Sequence, residues 1–107
     1  MTNLQQIMDF IESKYVFSEE NYPSLKGWSE AQRQAFAITH SVLHMNKSVG
    51  RIAGECESYD HGGDGPNNAI VREATVKMLI NTLKLAEELG MTAEDLAKAI
   101  PVVMRSK

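Results

Sequence analysis

Two histidines, His40 and His44, stand four residues apart, the spacing that points two imidazoles from one helix face toward a metal ion. The glutamate that follows the first histidine in zinc proteases is replaced here by Ser41, and a third ligand would have to be His61 or a distant acid. We therefore expect a structural or solvent-exposed pair, with a metal site as the alternative.

Acidic and oxygen-rich residues gather between positions 55 and 64, and hard cations such as Mg²⁺ prefer such ligands. They are Glu55, Glu57, Asp60, His61 and Asp64. Carboxylates two residues apart do not share a helix face, however, and acids near a helix C-terminus oppose the helix dipole. A solvated helix end is the favoured interpretation of this cluster.

The glycine-rich stretch DHGGDGP, residues 60–66, follows a helical pattern rather than a strand and lacks the lysine and hydroxyl residue of a phosphate-binding P-loop. It predicts a tight turn. No serine or cysteine stands beside a base at an identifiable position, so covalent catalysis has no support. Glu73 and Lys77 form a favourable pair one helical turn apart.

The composition sets limits on the function. A chain of 107 residues makes one domain, residues 1–107, and its net charge of −3 is interleaved along the sequence, which disfavours nucleic acid as a partner. Cys56 is the only cysteine, so a disulfide within the chain is excluded and a reducing compartment fits. The N-terminus does not resemble a signal peptide and no apolar run reaches membrane-spanning length. We expect a cytoplasmic protein with no membrane partner.

The segments that position these residues show the spacing of apolar residues that is typical of α-helices. Leu4, Ile7, Met8 and Ile11 predict a helix over residues 2–14. A loop from Val16 to Trp28 follows, pinned by aromatic side chains at Tyr15, Phe17, Tyr22 and Trp28. Ser29 and Gln32 resemble a capping box that opens a helix of about 30 residues, or about 45 Å, ending at the glycine turn.

Within this long helix, Gly50, Ala53 and Gly54 form a small-residue strip that another helix could approach closely, although plain tolerance of glycine is an alternative. Asn68 is predicted to cap a third helix that ends at Gly90. Thr92 and Asp95 open a fourth helix, in which Pro101 either produces a kink or starts a new last turn.

The fold class is therefore all-α: an antiparallel helical bundle of two long core helices and two short flanking helices. So small a chain leaves much apolar helix surface without a partner. We expect oligomerisation to complete the bundle, as a homodimer or a homotetramer.

The segments HMNKSVGRIAG and REATVKMLINTLKLAEELGMTAEDLAKAI resemble the paired core helices of the MazG-like, all-α NTP pyrophosphatases, over roughly residues 40–100. The resemblance implies a dimeric or tetrameric helical protein that uses Mg²⁺ to split nucleoside triphosphates. It also implies four metal-binding acids, as Glu-x-x-Glu on the first core helix and Glu-x-x-Asp on the second.

All four acids are replaced in this chain. The first pair falls on Ser48 and Arg51, and the second pair falls on Ala74 and Lys77, with Glu73 one residue out of register. Arg51 and Lys77 bring positive charge to where Mg²⁺ would sit, so the cation should be repelled.

Three hypotheses follow. The favoured one is a non-catalytic MazG-like protein that acts as an oligomeric interaction or regulatory module and needs no cofactor. The second is a nucleotide- or phosphate-binding module that works without metal, using Arg51, Lys77 and Lys47. The third is an active Mg²⁺-dependent pyrophosphohydrolase with a rebuilt site made of Glu55, Glu57, Glu73 and His44. Under a plain structural interpretation, Arg51 and Lys77 are exposed or salt-bridged helix charges.

Overall fold

The computed structural model describes residues 3–106, which form four α-helices and one turn of 3-10 helix with no strand among them. The helices are α1 (Leu4–Lys14), α2 (Glu30–Asp60), α3 (Asn68–Glu88) and α4 (Ala93–Arg105), and the 3-10 turn spans Pro23–Leu25. The predicted all-α class is confirmed. The helix expected from residue 2 begins at Leu4, and residue 2 itself lies outside the described residues.

Helix α1 begins at a capping box that the sequence analysis did not identify. The side chain of Asn3 accepts from the backbone N–H of Gln6 at 2.9 Å, and Gln6 Oε1 accepts from the backbone N–H of Asn3 at 2.9 Å. Each helix start leaves backbone N–H groups without partners, so this reciprocal pair fixes the boundary.

Helix α2 starts where the sequence predicts. Ser29 Oγ accepts from the backbone N–H of Gln32 at 3.2 Å, and Gln32 Oε1 accepts from that of Ser29 at 2.8 Å. The helix then continues for 31 residues, which corresponds to about 46 Å. It is the longest element and supplies one wall of the candidate site.

Helix α3 is capped one residue earlier than predicted, by Asn67 rather than Asn68. Asn67 Oδ1 accepts from the backbone N–H groups of Ala69 and Ile70 at 3.0 and 3.2 Å. Asn67 and Asn68 carry the same side chain, so either could cap the helix. Asn67 does so because its own backbone N–H donates to Glu55 Oε1 at 2.9 Å. That bond orients the extended residue from which the helix starts.

The end of α3 and the start of α4 agree with the sequence. Gly90 adopts a φ of +77°, and the backbone N–H of Met91 donates to Ala86 O at 2.9 Å, the pattern of a Schellman cap. Thr92 and Asp95 form the expected capping box. Pro101 lies inside α4, which continues as one helix to Arg105.

Helices α2 and α3 form an antiparallel hairpin across the glycine turn. Three contacts show the antiparallel direction: Asn67 with Glu55, Thr82 with Met45, and Glu88 with Gln34. Residue numbers increase along the first partner of each contact as they decrease along the second. Helix α1 packs on α3, and α4 packs on α1. The hairpin is therefore the frame on which the shorter helices are placed.

The apolar core lies where α1, α3 and α4 meet. Met8 and Ile11 of α1 are buried against Leu83 and Ala86 of α3. Partly buried residues close the cluster: Ile80, Met91, Ala93 and Leu96. Burying a side chain of this size stabilises the fold by about 1.5–3 kcal/mol, so this cluster holds α1 in place.

The loop between α1 and α2 is pinned by aromatic contacts at three of the four predicted positions, Phe17, Tyr22 and Trp28, whereas Tyr15 is 56 % exposed. The ring of Phe17 meets those of Tyr22 and Phe36 edge to face, with centroids 5.5 and 5.7 Å apart, and Trp28 meets Phe36 at 6.2 Å. Leu25, at the end of the 3-10 turn within this loop, is fully buried. These contacts fix the path of the loop along the first turns of α2.

Among the described residues 3–106, no helix packs on the small-residue strip of α2. A methyl group added at Gly50 or Gly54 would meet nothing within 4 Å beyond the chain neighbours and the backbone of its own helix. Within residues 3–106, no helix combines the length and the apolar composition needed to cross a bilayer.

Candidate functional site

A cleft of about 710 Å³ runs along one side of the α2–α3 hairpin and is closed at one end by the loop after α1. Its size lies within the range of small-molecule sites. Helix α2 contributes His40, His44, Lys47 and Arg51 to its wall, and α3 contributes Glu73, Lys77, Ile80 and Lys84. Both sets repeat at intervals of four, three and four residues, which places each along one edge of its helix.

One half of the cleft is basic. Lys47, Arg51 and Lys77 line it, and Glu73 is the acid among them. Lys77 Nζ lies 3.0 Å from Glu73 Oε1, and this bond, with the charges of Lys77 and Arg51, lowers the pKa of Glu73. Lys47 and Arg51 have no carboxylate within 4.0 Å in the part of the chain that the structure describes. Two cations therefore remain to bind an anion.

The other half of the cleft is aromatic. Tyr15, Phe17, Tyr22 and His40 line it, and the centroids of Phe17, Tyr22 and His40 lie 5.3–5.5 Å from one another. The ring of Phe36 stacks on His40 at 5.3 Å and 27°. Ring systems at these distances attract one another and accept a further flat ring in the same manner.

His40 belongs to this aromatic group. Burial, followed by the nearby charge of His44, lowers the pKa of His40, so its imidazole is neutral at neutral pH. Tyr22 Oη lies 3.4 Å from its Nε2. Among residues 3–106, no three side chains of the His, Cys, Asp and Glu types come together as a metal-binding group.

Lys84 is a site residue that the sequence analysis missed. Its side chain is 3 % exposed, and its Nζ donates to Glu12 Oε2 and Glu88 Oε1, each at 2.7 Å, while lying 4.6 Å from the centre of the Phe17 ring. Burial alone would lower the pKa of Lys84, but the bonds to the two carboxylates outweigh burial and raise it. The available signal was a lysine within the apolar run Leu83–Ala86.

The predicted phosphate-binding residues Lys47, Arg51 and Lys77 come together in this cleft. Ser48 and Ala74 line it too, so the four positions that the resemblance pairs with metal-binding acids share one surface. They are occupied by two cations and two small residues. Neither Ser48 nor Ala74 is more than 6 % exposed, because both also lie against the neighbouring helix.

The four residues predicted for the alternative acidic site do not come together in the structure. His44 and Glu73 line the cleft, but Glu55 and Glu57 do not. Glu55 accepts from the backbone N–H of Asn67 and so supports the start of α3, and Glu57 is exposed on α2. The remaining members of the acidic cluster, Asp60, His61 and Asp64, are exposed at the turn, where Gly62 and Gly65 have φ values of +93° and +104°.

Comparison of the chain with protein-family models, with curated proteins and with solved structures gives no match.

Proposed function

We propose that the protein is a non-catalytic, MazG-like helical module that binds a small molecule carrying both phosphate and a flat ring, such as a nucleoside phosphate, without a metal ion. The observation that carries the proposal is the division of one cleft into a basic half and an aromatic half. In the basic half, Lys47 and Arg51 point to an anion because neither forms an ion pair within 4.0 Å among the described residues.

The dimensions of the cleft support a ligand of this type. His40 and Arg51 lie eleven positions apart on α2, which corresponds to about 16 Å along the helix. An extended nucleoside triphosphate has a similar length. Its ring would lie against Phe17 and Tyr22, and its phosphates would reach Lys47 and Arg51.

The charges support direct binding of phosphate rather than binding through Mg²⁺. A guanidinium group donates two parallel hydrogen bonds to phosphate oxygens, and an ammonium group binds them as a point charge. A divalent cation in the same place would face Lys47, Arg51 and Lys77. Among the described residues that line the cleft, the one acid is Glu73, which is already bonded to Lys77. Mg²⁺ requires several free oxygen ligands, so this set disfavours it.

Isothermal titration calorimetry with a panel of nucleoside mono-, di- and triphosphates, each in EDTA and in Mg²⁺, tests the proposal. We expect binding in EDTA that Mg²⁺ does not strengthen. Arg51→Ala and Lys47→Ala should each weaken binding about 5- to 30-fold, or about 1–2 kcal/mol, because each removes a charge-assisted hydrogen bond at a partly solvated site. Inorganic triphosphate should bind more weakly than the nucleotides, because it lacks a ring.

Lys98→Ala is the matched control. Lys98 pairs with Glu94 one turn away at 3.0 Å, as Lys77 pairs with Glu73, but it lies on α4 outside the cleft. Its substitution should leave affinity unchanged. The proposal fails if no nucleotide binds at 1 mM, or if binding and turnover both require Mg²⁺ and are lost in Glu73→Ala. The second result would favour the pyrophosphohydrolase with a rebuilt site.

A further inference from the structure

The register of the α2–α3 hairpin arranges the basic half of the cleft in two levels. The contacts between the two helices described above fix which residues lie opposite each other. They place Lys47 opposite Lys77 and Arg51 opposite Glu73, each to within about two residues, or half a helical turn. We call the first pair the inner level and the second pair the outer level. The inner level is nearer to the aromatic half, because Lys47 lies between His40 and Arg51 on α2.

The inner level has the charge and the hydrogen-bond donors that one phosphate group needs. It presents the ammonium groups of Lys47 and Lys77. Ser48, the residue after Lys47, also lines the cleft although it is only 6 % exposed, and its hydroxyl can donate a hydrogen bond there. A phosphate monoester carries a charge of about −1.5 to −2 at pH 7. Two ammonium groups balance this charge.

The outer level differs because it contains a carboxylate. Glu73 is the single acid among the described cleft residues, and its Oε1 lies 3.0 Å from Lys77 Nζ. The hydrogen bond from Lys77, together with the charges of Lys77 and Arg51, lowers the pKa of Glu73, so this group is ionised at neutral pH. Ala74, the residue after it, lines the cleft without a side-chain donor. A second phosphate at the outer level would therefore face a negative charge.

The spacing of the two levels matches successive parts of a ligand. Lys47 is seven residues beyond His40, which corresponds to about 10 Å along α2, and Arg51 is about 6 Å further. If the ring lies at His40, the phosphate joined to the sugar lies near the inner level and any further phosphates lie near the outer level. The cleft is long enough for a triphosphate, but the charges of Arg51 and Glu73 cancel at its outer level.

We propose that Glu73 makes the cleft selective for ligands with one phosphate, so that a nucleoside monophosphate binds more tightly than the matching triphosphate. This inference rests on the proposed function, because it requires that the cleft bind nucleoside phosphates. Two unit charges about 4 Å apart in water change a binding constant about fivefold, so each phosphate charge that faces Glu73 weakens binding by about that factor. Glu73, a metal ligand in the rebuilt-site hypothesis, is here the residue that determines specificity.

Isothermal titration calorimetry in EDTA, with the mono- and triphosphates of adenosine and uridine, tests this selectivity. We expect each monophosphate to bind the unmodified protein about fivefold more tightly than its triphosphate. Glu73→Gln keeps the size of the side chain and removes its charge. In this variant the triphosphates should bind about 5- to 25-fold more tightly than before, and the monophosphates at most about twofold more tightly. The preference for the monophosphate should therefore disappear.

Glu94→Gln is the matched control. Glu94 pairs with Lys98 one helical turn away at 3.0 Å, as Glu73 pairs with Lys77, but it lies on α4 outside the cleft. This variant should keep the preference of the unmodified protein. If Glu94→Gln loses the preference as well, the cause is the net charge of the chain, and the assigned role of Glu73 is wrong.

Three other results would overturn the inference. Tighter binding of triphosphates than of monophosphates to the unmodified protein in EDTA would refute the selectivity and leave the proposed function intact. An unchanged preference in Glu73→Gln, or a loss of all binding in that variant, would show that Glu73 does not act by repelling phosphate. If none of the four nucleotides binds either protein at 1 mM, the proposed function fails and this inference fails with it.

Discussion

The carboxyl group of Glu87 should make the stability of the protein fall as pH rises through the neutral range. Its Oε1 is buried, no donor among residues 3–106 reaches it, and the acids Glu12 and Asp9 of α1 lie nearby. Burial, followed by the hydrogen bond and charge of Glu12, raises the pKa of Glu87 to about 7, although Lys84 opposes the shift. A protonated Glu87 donates to Glu12 and so supplies the missing bond.

The magnitude follows from linkage. The pKa of Glu87 is raised from an ordinary value of 4.5 to about 7, so the folded state keeps a proton that the unfolded chain releases. Stability is then fully present below pH 4.5 and is lost as pH rises through 7. At 1.36 kcal/mol per pKa unit the limit is about 3 kcal/mol, and solvent screening around this partly exposed group reduces it to about 1–2 kcal/mol.

Glu87→Gln isolates this effect, because a neutral amide can donate to Glu12 at every pH. Urea unfolding followed by circular dichroism should give equal stabilities for the two proteins at pH 5. At pH 8 the variant should be more stable by about 1–2 kcal/mol, or about 5–15 °C in Tm. His40, whose lowered pKa gives stability the opposite slope near pH 6, is present in both proteins and cancels in the difference. A difference that stays constant from pH 5 to pH 8 would refute the reasoning.

Three further substitutions can be checked by the same urea unfolding at pH 7. Lys84→Met should cost about 2–3 kcal/mol, because it leaves the carboxylates of Glu12 and Glu88 without their buried cation; a loss below 0.5 kcal/mol would contradict the importance of this ion pair. Ser41→Ala should stabilise the fold by about 1 kcal/mol, because the buried hydroxyl has no partner among the described residues, and destabilisation would show that it does have one. Gly50→Ala should stabilise α2 by about 1 kcal/mol, because the added methyl group meets open space in the single chain, and a loss would show that something packs there.

Local chemistry in the sequence predicted most of the helix boundaries. The boxes at Ser29 and Thr92 and the cap at Gly90 each depend on residues within a few positions of one another, so the sequence contains the whole interaction. The start of α3 was placed one residue late because the deciding contact, from Glu55 to Asn67, spans twelve positions and crosses the turn.

The candidate site could be predicted only in its basic half. Arg51 and Lys77 lie in regular helices, so helical spacing and the register of two neighbouring helices are enough to bring them together. The aromatic half depends on the path of the loop that carries Phe17 and Tyr22, which no periodicity describes. Lys84 was missed because one of its two carboxylate partners, Glu12, is 72 positions away, a separation at which sequence pattern carries no information.

The distance along the chain between α1 and the surface it covers also sets an order of assembly during synthesis. Met8 and Ile11 emerge first, but their partners Leu83 and Ala86 are added about 75 residues later, which takes about 4–15 s at 5–20 residues per second. During that interval the apolar side of α1 lacks the α3 surface on which it packs in the folded protein. The α2–α3 hairpin, whose contacts are nearer in sequence, can close first, and α1 docks as the last step.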